Sequence, residues 1–356
     1  MTARWEALAA RLPDERDAAL VLSPANRRYL TGFASSDGAV LVTSEAGYFL
    51  TDSRYIEAAQ RQVHDMSCVC ADGLFRAVSE LTARNGIGRV FIEAERTTLA
   101  ERDRLQKTLA LPLESGGELD GWLTAMRLVK SPAELDKIRQ AQALTAFGFD
   151  RILERIRPGR TEREIALDLE FLIRREGAEA VAFDFIVVSG PNSSLPHGVP
   201  SDRVVERGDL VTMDFGAVVD GWHSDMTRTV AVGCIGEEEK RVYDTVLEAQ
   251  KAALAVLRAG LPCVQGDAAA RNSIAAAGYG AYFGHGTGHG VGVEIHEAPR
   301  LSPRAGEECL AAGSVVTVEP GIYLPGRFGV RIEDMAFITE TGCENLTACP
   351  KDLLIV

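Results

Sequence analysis

Positive charge, paired cysteines and long apolar runs are what this sequence of 356 residues has little of. Its 38 lysines and arginines stand against 51 aspartates and glutamates, a formal net charge of −13. Such a surface repels nucleic acid and anionic membrane, so neither is expected as a partner. Seven cysteines is an odd number and none forms a C-x-x-C pair, which excludes a disulfide framework or zinc ribbon and fits isolated thiols in a reducing cytosol. No stretch approaches the roughly 20 apolar residues that span a bilayer, and the N-terminus lacks a signal-peptide run. A cytoplasmic protein is expected. No Gly-x-Ser-x-Gly elbow supplies a serine nucleophile. What is present, 46% hydrophobic and 25% charged residues without low-complexity tracts, describes a globular chain long enough for two domains.

The first third alternates strand-like and helix-like segments. Ala19–Leu22, Ala39–Thr43, Tyr48–Leu50, Met66–Cys70 and Arg89–Ile92 read as strands. Ser23-Pro24 opens a helix, Asp52 caps another through Gln62, and Leu74–Asn85 and Thr98–Leu109 are helical. The mixture predicts a small α/β domain over residues 1–128 with no metal-spaced cluster of its own. Its polar loop Ser35-Ser36-Asp37-Gly38 reads as an ordinary turn. A second domain, 129–356, then begins with the capping box Ser131-Pro132-Ala133-Glu134, and Thr161–Glu164 is another.

The second domain holds the stretch Phe283-Gly284-His285-Gly286-Thr287-Gly288-His289-Gly290-Val291-Gly292, with His296 close behind. Its glycines match neither the dinucleotide spacing nor a Gly-Lys-Ser/Thr phosphate loop. His296-Glu297 is no zinc-protease helix, because Arg300 replaces the second histidine and Pro299 would break the helix. The stretch is expected to be a tight loop that presents a histidine to carboxylates elsewhere.

Those carboxylates are expected in strands. In Asp209–Val232 the apolar Val211, Met213 and Phe215 alternate with Thr212, Asp214 and Gly216, and beyond Asp220-Gly221 the alternation resumes with Asp225 and Thr227. A two-residue turn puts Asp214 opposite Thr227 and diagonal to Asp225. A four-residue loop puts the two acids face to face. Either register leaves them on one face, a few ångströms to roughly 8 Å apart. Val315–Glu319 and Gly329–Asp334 read as two more strands that carry acids between apolar neighbours. Glutamates are seldom buried unless paired or bound to metal. Asp214, Asp225, His289, Glu319 and Glu333 offer four carboxylates and one imidazole, a set too oxygen-rich for structural zinc and suited to two hard or borderline divalent ions.

Asp214 and Asp225 eleven residues apart, His289 in its glycine-rich run, Glu319-Pro320-Gly321 and Arg331-Ile332-Glu333-Asp334 together resemble the pita-bread metallopeptidases. Within these the sequence is most similar to the Xaa-Pro branch, aminopeptidase P and prolidase, densely from about residue 130 to 356. The first third resembles that branch's creatinase-type N-terminal domain. The resemblance implies an α/β (α+β) chain, a small creatinase-type domain followed by a pita-bread catalytic domain. It implies an exopeptidase, probing peptides with proline in second position or Xaa-Pro dipeptides, in which water activated between two metal ions attacks the Xaa-Pro bond. Manganese is the first expectation for the metal, with cobalt or zinc as alternatives. Asp214 would bind one ion, His289 and Glu319 the other, and Asp225 and Glu333 both. Glu319 would also take the proton of the attacking water, and His296 would contact the scissile region. His197 and His285 would line the proline side, and Tyr323 and Arg331 would stand near the metals. For His197 a locally satisfied loop histidine is the other reading, and for Arg331 an ion pair with Glu333 or Asp334. Kinship also implies a homodimer. A methionine-aminopeptidase-like enzyme and a non-enzymatic pita-bread binding module are the alternatives.

Overall fold

A computed structural model describes residues 3–356 of the chain. It divides into two compact units, Met1–Arg127 and Leu128–Val356. The first is built on a six-stranded sheet in the order Ser67–Cys70, Gly47–Thr51, Ala39–Thr43, Asp17–Val21, Arg89–Ile92, Leu113–Glu114. The central strands Asp17–Val21 and Ala39–Thr43 are buried along their whole length, as continuous apolar runs covered on both faces require. Leu20, Leu41 and Leu50 pack with Val78 and Leu81 of the helix Leu74–Arg84 and Leu105 of the helix Leu99–Leu109. Asp17 at the strand entrance is balanced by the Arg89 guanidinium, which donates to its two carboxylate oxygens at 2.8 and 2.7 Å.

Two expected helix starts differ. Ser23 does precede Pro24–Thr31, but its hydroxyl donates to the buried Glu93 carboxylate and makes no cap hydrogen bond. Asp52 caps nothing: its carboxylate is taken by Arg54, and the helix begins three to four residues later, as Ile56–Gln62. The nearby cation outcompetes the helix amides for that carboxylate.

In the second unit four long helices, Pro132–Ile152, Glu162–Glu176, Glu237–Val256 and Cys263–Ala276, enclose two apolar cores. The expected capping boxes at Ser131/Glu134 and Thr161/Glu164 are both formed. One core joins Phe149, Ile165, Leu169 and Ile173 to Val211, Met213, Phe215, Met226 and Val230. The other joins Val242, Val246 and Ile274 to Val316, Val318, Ile322 and Val330. The strands between these cores carry the polar residues that matter.

The strand Leu210–Phe215 pairs antiparallel with Met226–Ala231, with Asp214 opposite Thr227. This is the register of the two-residue turn. Asp220 (φ 48°) and Gly221 (φ 83°) both adopt left-handed backbone, as a tight hairpin of matching twist demands. The ribbon is interrupted at Gly216, where a Cβ would lie 1.9 Å from the Ser224 carbonyl oxygen.

The chain from Phe328 to Ile338 is not one strand. Phe328–Arg331 pairs with Gly321–Leu324, whereas Asp334–Ile338 pairs with Val315–Val318 in a five-stranded sheet. The change of sheet falls at Ile332-Glu333. The Glu333 amide leaves both ladders and donates to the Thr227 carbonyl at 3.1 Å. Of the four acids only Asp214 therefore lies within a strand; Asp225, Glu319 and Glu333 sit where strands begin or end.

Candidate active site

The glycine-rich stretch is also more regular than its composition suggests. Gly288–Gly290 is a short strand lying between Glu297–Leu301 and Val315–Val318, so His289 stands on a sheet and not on a loop. The glycines make this pairing sterically feasible. A Cβ on Gly288 would sit 2.0 Å from the Thr317 carbonyl oxygen, and one on Gly290 would sit 2.1 Å from that of Ala298. A register shift falls between His289 and Gly290.

Asp214, Asp225, His289, Glu319 and Glu333 converge on the wall of one cavity of about 730 Å³. Ligand atoms of Asp225, His289 and Glu333 lie within 4.8 Å of one another. His289 Nε2 is 3.6 Å from Asp225 Oδ2 and 3.5 Å from Glu319 Oε1. Its Nδ1 faces the Gly290 carbonyl at 3.0 Å and must therefore donate, which leaves Nε2 as a lone pair aimed at two carboxylates. A lone pair facing carboxylate oxygens is repulsive unless a cation lies between them.

The same conclusion follows from the acids. Asp214 Oδ1, Asp225 Oδ1 and Glu333 Oε1 are buried without a hydrogen-bond partner. Burial and then the charges of Glu333, Asp214 and Glu319 push the Asp225 carboxyl well above the usual carboxylate range. Burial, followed by Glu319 and Asp214, does the same to Glu333. Burial pushes Glu319 up to about 8. Burial and then the neighbouring His296 pull His289 down to about 3, so the imidazole is a neutral ligand. Orphaned carboxylate oxygens around a neutral imidazole are the donor set of a hard or borderline divalent ion, and these residues fit one.

A hydrogen-bonded network borders the acids. Arg331, 3% exposed, donates from Nη2 to Asp214 Oδ2 at 2.7 Å, from Nε to Thr227 Oγ1 at 3.0 Å, and from Nη1 to the Tyr323 hydroxyl at 2.9 Å. It pairs with neither Glu333 nor Asp334, the two partners its sequence position suggested; Asp334 is held by Arg228 and Lys351. Its own short strand, Phe328–Arg331, points it across to the ribbon that carries Asp214. The Tyr323 hydroxyl, pushed up to about 12 by burial, donates to His285 Nε2 at 2.8 Å. His285 in turn donates from Nδ1 to the Gly286 carbonyl, and burial followed by Arg331 holds it at about 4.

The remaining expected residues lie in the same cavity. His296 is exposed, with its ring centroid 4.3 Å from that of His289. His197, also exposed, lines the cavity from the loop after Pro196. Sequence reasoning missed Thr227, whose hydroxyl donates to Glu333 Oε2 at 2.7 Å, and Thr317, which accepts from the His289 amide at 3.1 Å. Thr227 was visible as a polar neighbour on the face of Asp214 and Asp225; Thr317 carried no signal beyond its place in an apolar strand.

Residues 136–340 match metallopeptidase family M24, and residues 4–129 match the creatinase/prolidase N-terminal domain. The chain belongs to family M24. It is a metal-dependent hydrolase with a creatinase-type domain ahead of a pita-bread domain. Over 339 residues it is 38% identical to an Xaa-Pro dipeptidase of Pyrococcus horikoshii, covering 95% of this chain and 94% of that protein. The structure of an Xaa-Pro dipeptidase from Bacillus anthracis superposes with a TM-score of 0.94 at 40% identity, over 100% of both chains. That of an X-Pro aminopeptidase from Thermotoga maritima superposes with a TM-score of 0.89 at 38% identity, over 96% of this chain and 97% of that one. Among the described residues of this M24 chain, no helix is long and apolar enough to cross a membrane.

Proposed function

We propose that this M24 chain is an exopeptidase that hydrolyses the Xaa-Pro bond, in dipeptides or at the N-terminus of longer peptides. The observation that carries the reading is the buried convergence of Asp225, His289 and Glu333, with Glu319 and Asp214 beside them, in a chain whose relatives are named for that activity. Asp214, Asp225, His289, Glu319 and Glu333 would hold two divalent ions, manganese before cobalt or zinc. Bound there, the ions supply Lewis acidity, which polarises a carbonyl and lowers the pKa of water.

The protein's own groups do the rest. Glu319, reaching the cavity beside His289, takes a proton from the attacking water. His296 donates to the oxyanion that develops at the scissile carbonyl. Arg331 fixes Asp214 and offsets part of the negative charge of the cluster. His197 and His285, with Tyr323 behind His285, border the proline side. The apolar wall of Phe183, Ile186, Pro196, Val199 and Ile295 suits a pyrrolidine ring. An Xaa-Pro amide has no N–H, so this side of the cavity needs no acceptor for one. The enzyme works as a cytoplasmic homodimer in this reading.

Purified protein loaded with manganese, cobalt or zinc and given Ala-Pro, Ala-Pro-Ala and Met-Ala-Ala tests it. Cleavage of the two prolyl substrates, and not of the methionyl one, is expected, and their ratio separates dipeptidase from aminopeptidase. Cleavage of the methionyl peptide alone would point to a methionine-aminopeptidase-like enzyme. Hydrolysis of none with any of the three metals would leave a binding module.

A further inference from the structure

Just behind His296 lies a buried ion pair that the chemistry above does not use. Lys130 Nζ is 3.4 Å from Glu297 Oε2, and the two side chains are 0% and 4% exposed. A buried pair of opposite charges is weak evidence of stability, since apolar residues of the same volume serve as well or better. Its placement suggests a different role. Glu297 Oε1 accepts from the Glu294 amide at 3.0 Å, which closes the turn that carries His296. Within this turn the Gly292 amide donates to the Glu294 carbonyl at 3.0 Å, and His223 donates to the Gly292 carbonyl from its amide at 2.8 Å and from Nδ1 at 3.1 Å. A Cβ on Gly292 would lie 2.4 Å from Glu297 Oε2, so the carboxylate fills the inside of the turn.

Glu297 also begins the strand Glu297–Leu301 and pairs with Gly290, next to His289. Glu297 joins this turn to the strand, so a side chain anchored inward by Lys130 fixes the backbone from which His296, the residue before it, projects against His289. Lys130 is itself fixed, its amide donating to the Gly313 carbonyl at 2.8 Å just before the Ser131 cap.

We infer that Lys130 is a positioning residue: through Glu297 it sets the orientation of His296 over the carboxylate cluster. The inference rests on the peptidase reading, because kcat is one of its two readouts. The metal-loaded full-length protein is compared as native, Lys130→Met and Glu297→Gln, with 15N-labelled histidines. Misplacement of a catalytic group by about 1 Å costs on the order of 100-fold in rate, so Lys130→Met lowers kcat about that much while KM stays within about twofold. The ring signals of His289 and His296 shift, that of His223, bonded to the same turn, follows, and those of His64, His197 and His285 hold. Glu297→Gln keeps the acceptor for the Glu294 amide and weakens only the pairing with Lys130; about a tenfold fall in kcat is expected, and this variant decides the matter if Lys130→Met does not fold. Native kcat in either folded variant overturns the inference, and so do ring shifts spread evenly over all six histidines. A native protein that cleaves no prolyl peptide defeats the peptidase reading instead, while the ring signals still test the positioning.

Discussion

Arg331 Nη2 and Asp214 Oδ2 lie 2.7 Å apart, their side chains 3% and 13% exposed, and the same guanidinium reaches Thr227 and Tyr323. One planar cation thus holds a prospective ligand, the Thr227 hydroxyl that holds another, and the phenol behind His285. Its fork geometry, not only its charge, makes this possible. Arg331→Lys keeps the charge and loses the fork. It is expected to cost 10-fold or more in kcat, on the order of what loss of a group that orients metal ligands costs, with reduced metal content by elemental analysis. Arg331→Met leaves the Asp214 carboxylate buried without its cation and is expected to lower stability by about 3–5 kcal/mol in denaturant titration.

Thr227 joins Glu333 to Arg331 through one hydroxyl. Thr227→Val keeps the shape and removes both bonds. Metal affinity, followed by calorimetry on chelator-stripped protein, is expected to fall about 10-fold, within the range for partners of metal ligands. Unchanged affinity would mean that Glu333 orients itself.

Gly288 and Gly284 form a matched pair of substitutions. Gly288→Ala would drive a Cβ to 2.0 Å from the Thr317 carbonyl oxygen, whereas a Cβ on Gly284 meets nothing within 4 Å. Gly288→Ala is expected to destabilise by about 3 kcal/mol or more, the upper end for overpacking, and to lose metal. Gly284→Ala stays within about 0.5 kcal/mol, as open surface positions do. Thermal melts of the two variants check this.

The pH dependence of the metal-free protein has a defined sign. Asp225, Glu319 and Glu333 titrate above their unfolded values, Glu319 at about 8. A raised carboxyl binds more protons folded than unfolded, so its stabilisation is full at low pH and is lost as pH rises toward the folded value. His285 and His289, pulled down to about 4 and 3, act in the opposite sense, but only below about pH 6.5, where an unfolded histidine gains its proton. Between about pH 6.5 and 8 the carboxyls act alone. Chelated protein is expected to lose roughly 1–2 kcal/mol over that interval from Glu319, with Asp225 and Glu333 adding to the loss. Metal-loaded protein, whose ligands stay ionised, shows no such slope. Denaturation with and without chelator, in parallel at both ends of the interval, distinguishes them.

The sequence was legible where periodicity and caps speak. The alternation around Asp214 gave the face it occupies but left two registers open; the two left-handed residues Asp220 and Gly221 select the two-residue one that the ribbon has. Ser131 and Thr161 cap the helices they precede. What could not be read depends on contacts remote in sequence. Nothing near Arg331 indicated that it would reach Asp214 instead of its neighbours. Nothing in a run of alternating glycines distinguished a loop from a strand squeezed between two others, since the deciding atoms are the carbonyls of Thr317 and Ala298. Asp52 likewise met a cation two residues on before it met a helix amide.

The crossing at Ile332-Glu333 has a further consequence. One peptide link lies between the end of one ladder and the beginning of another, and it carries Glu333, proposed above as a ligand to both ions. Neither sheet can fray there without taking an oxygen away from the centre. If the site binds as proposed, exchange of an ion there is expected to follow the breathing of the backbone hydrogen bonds on either side of that link.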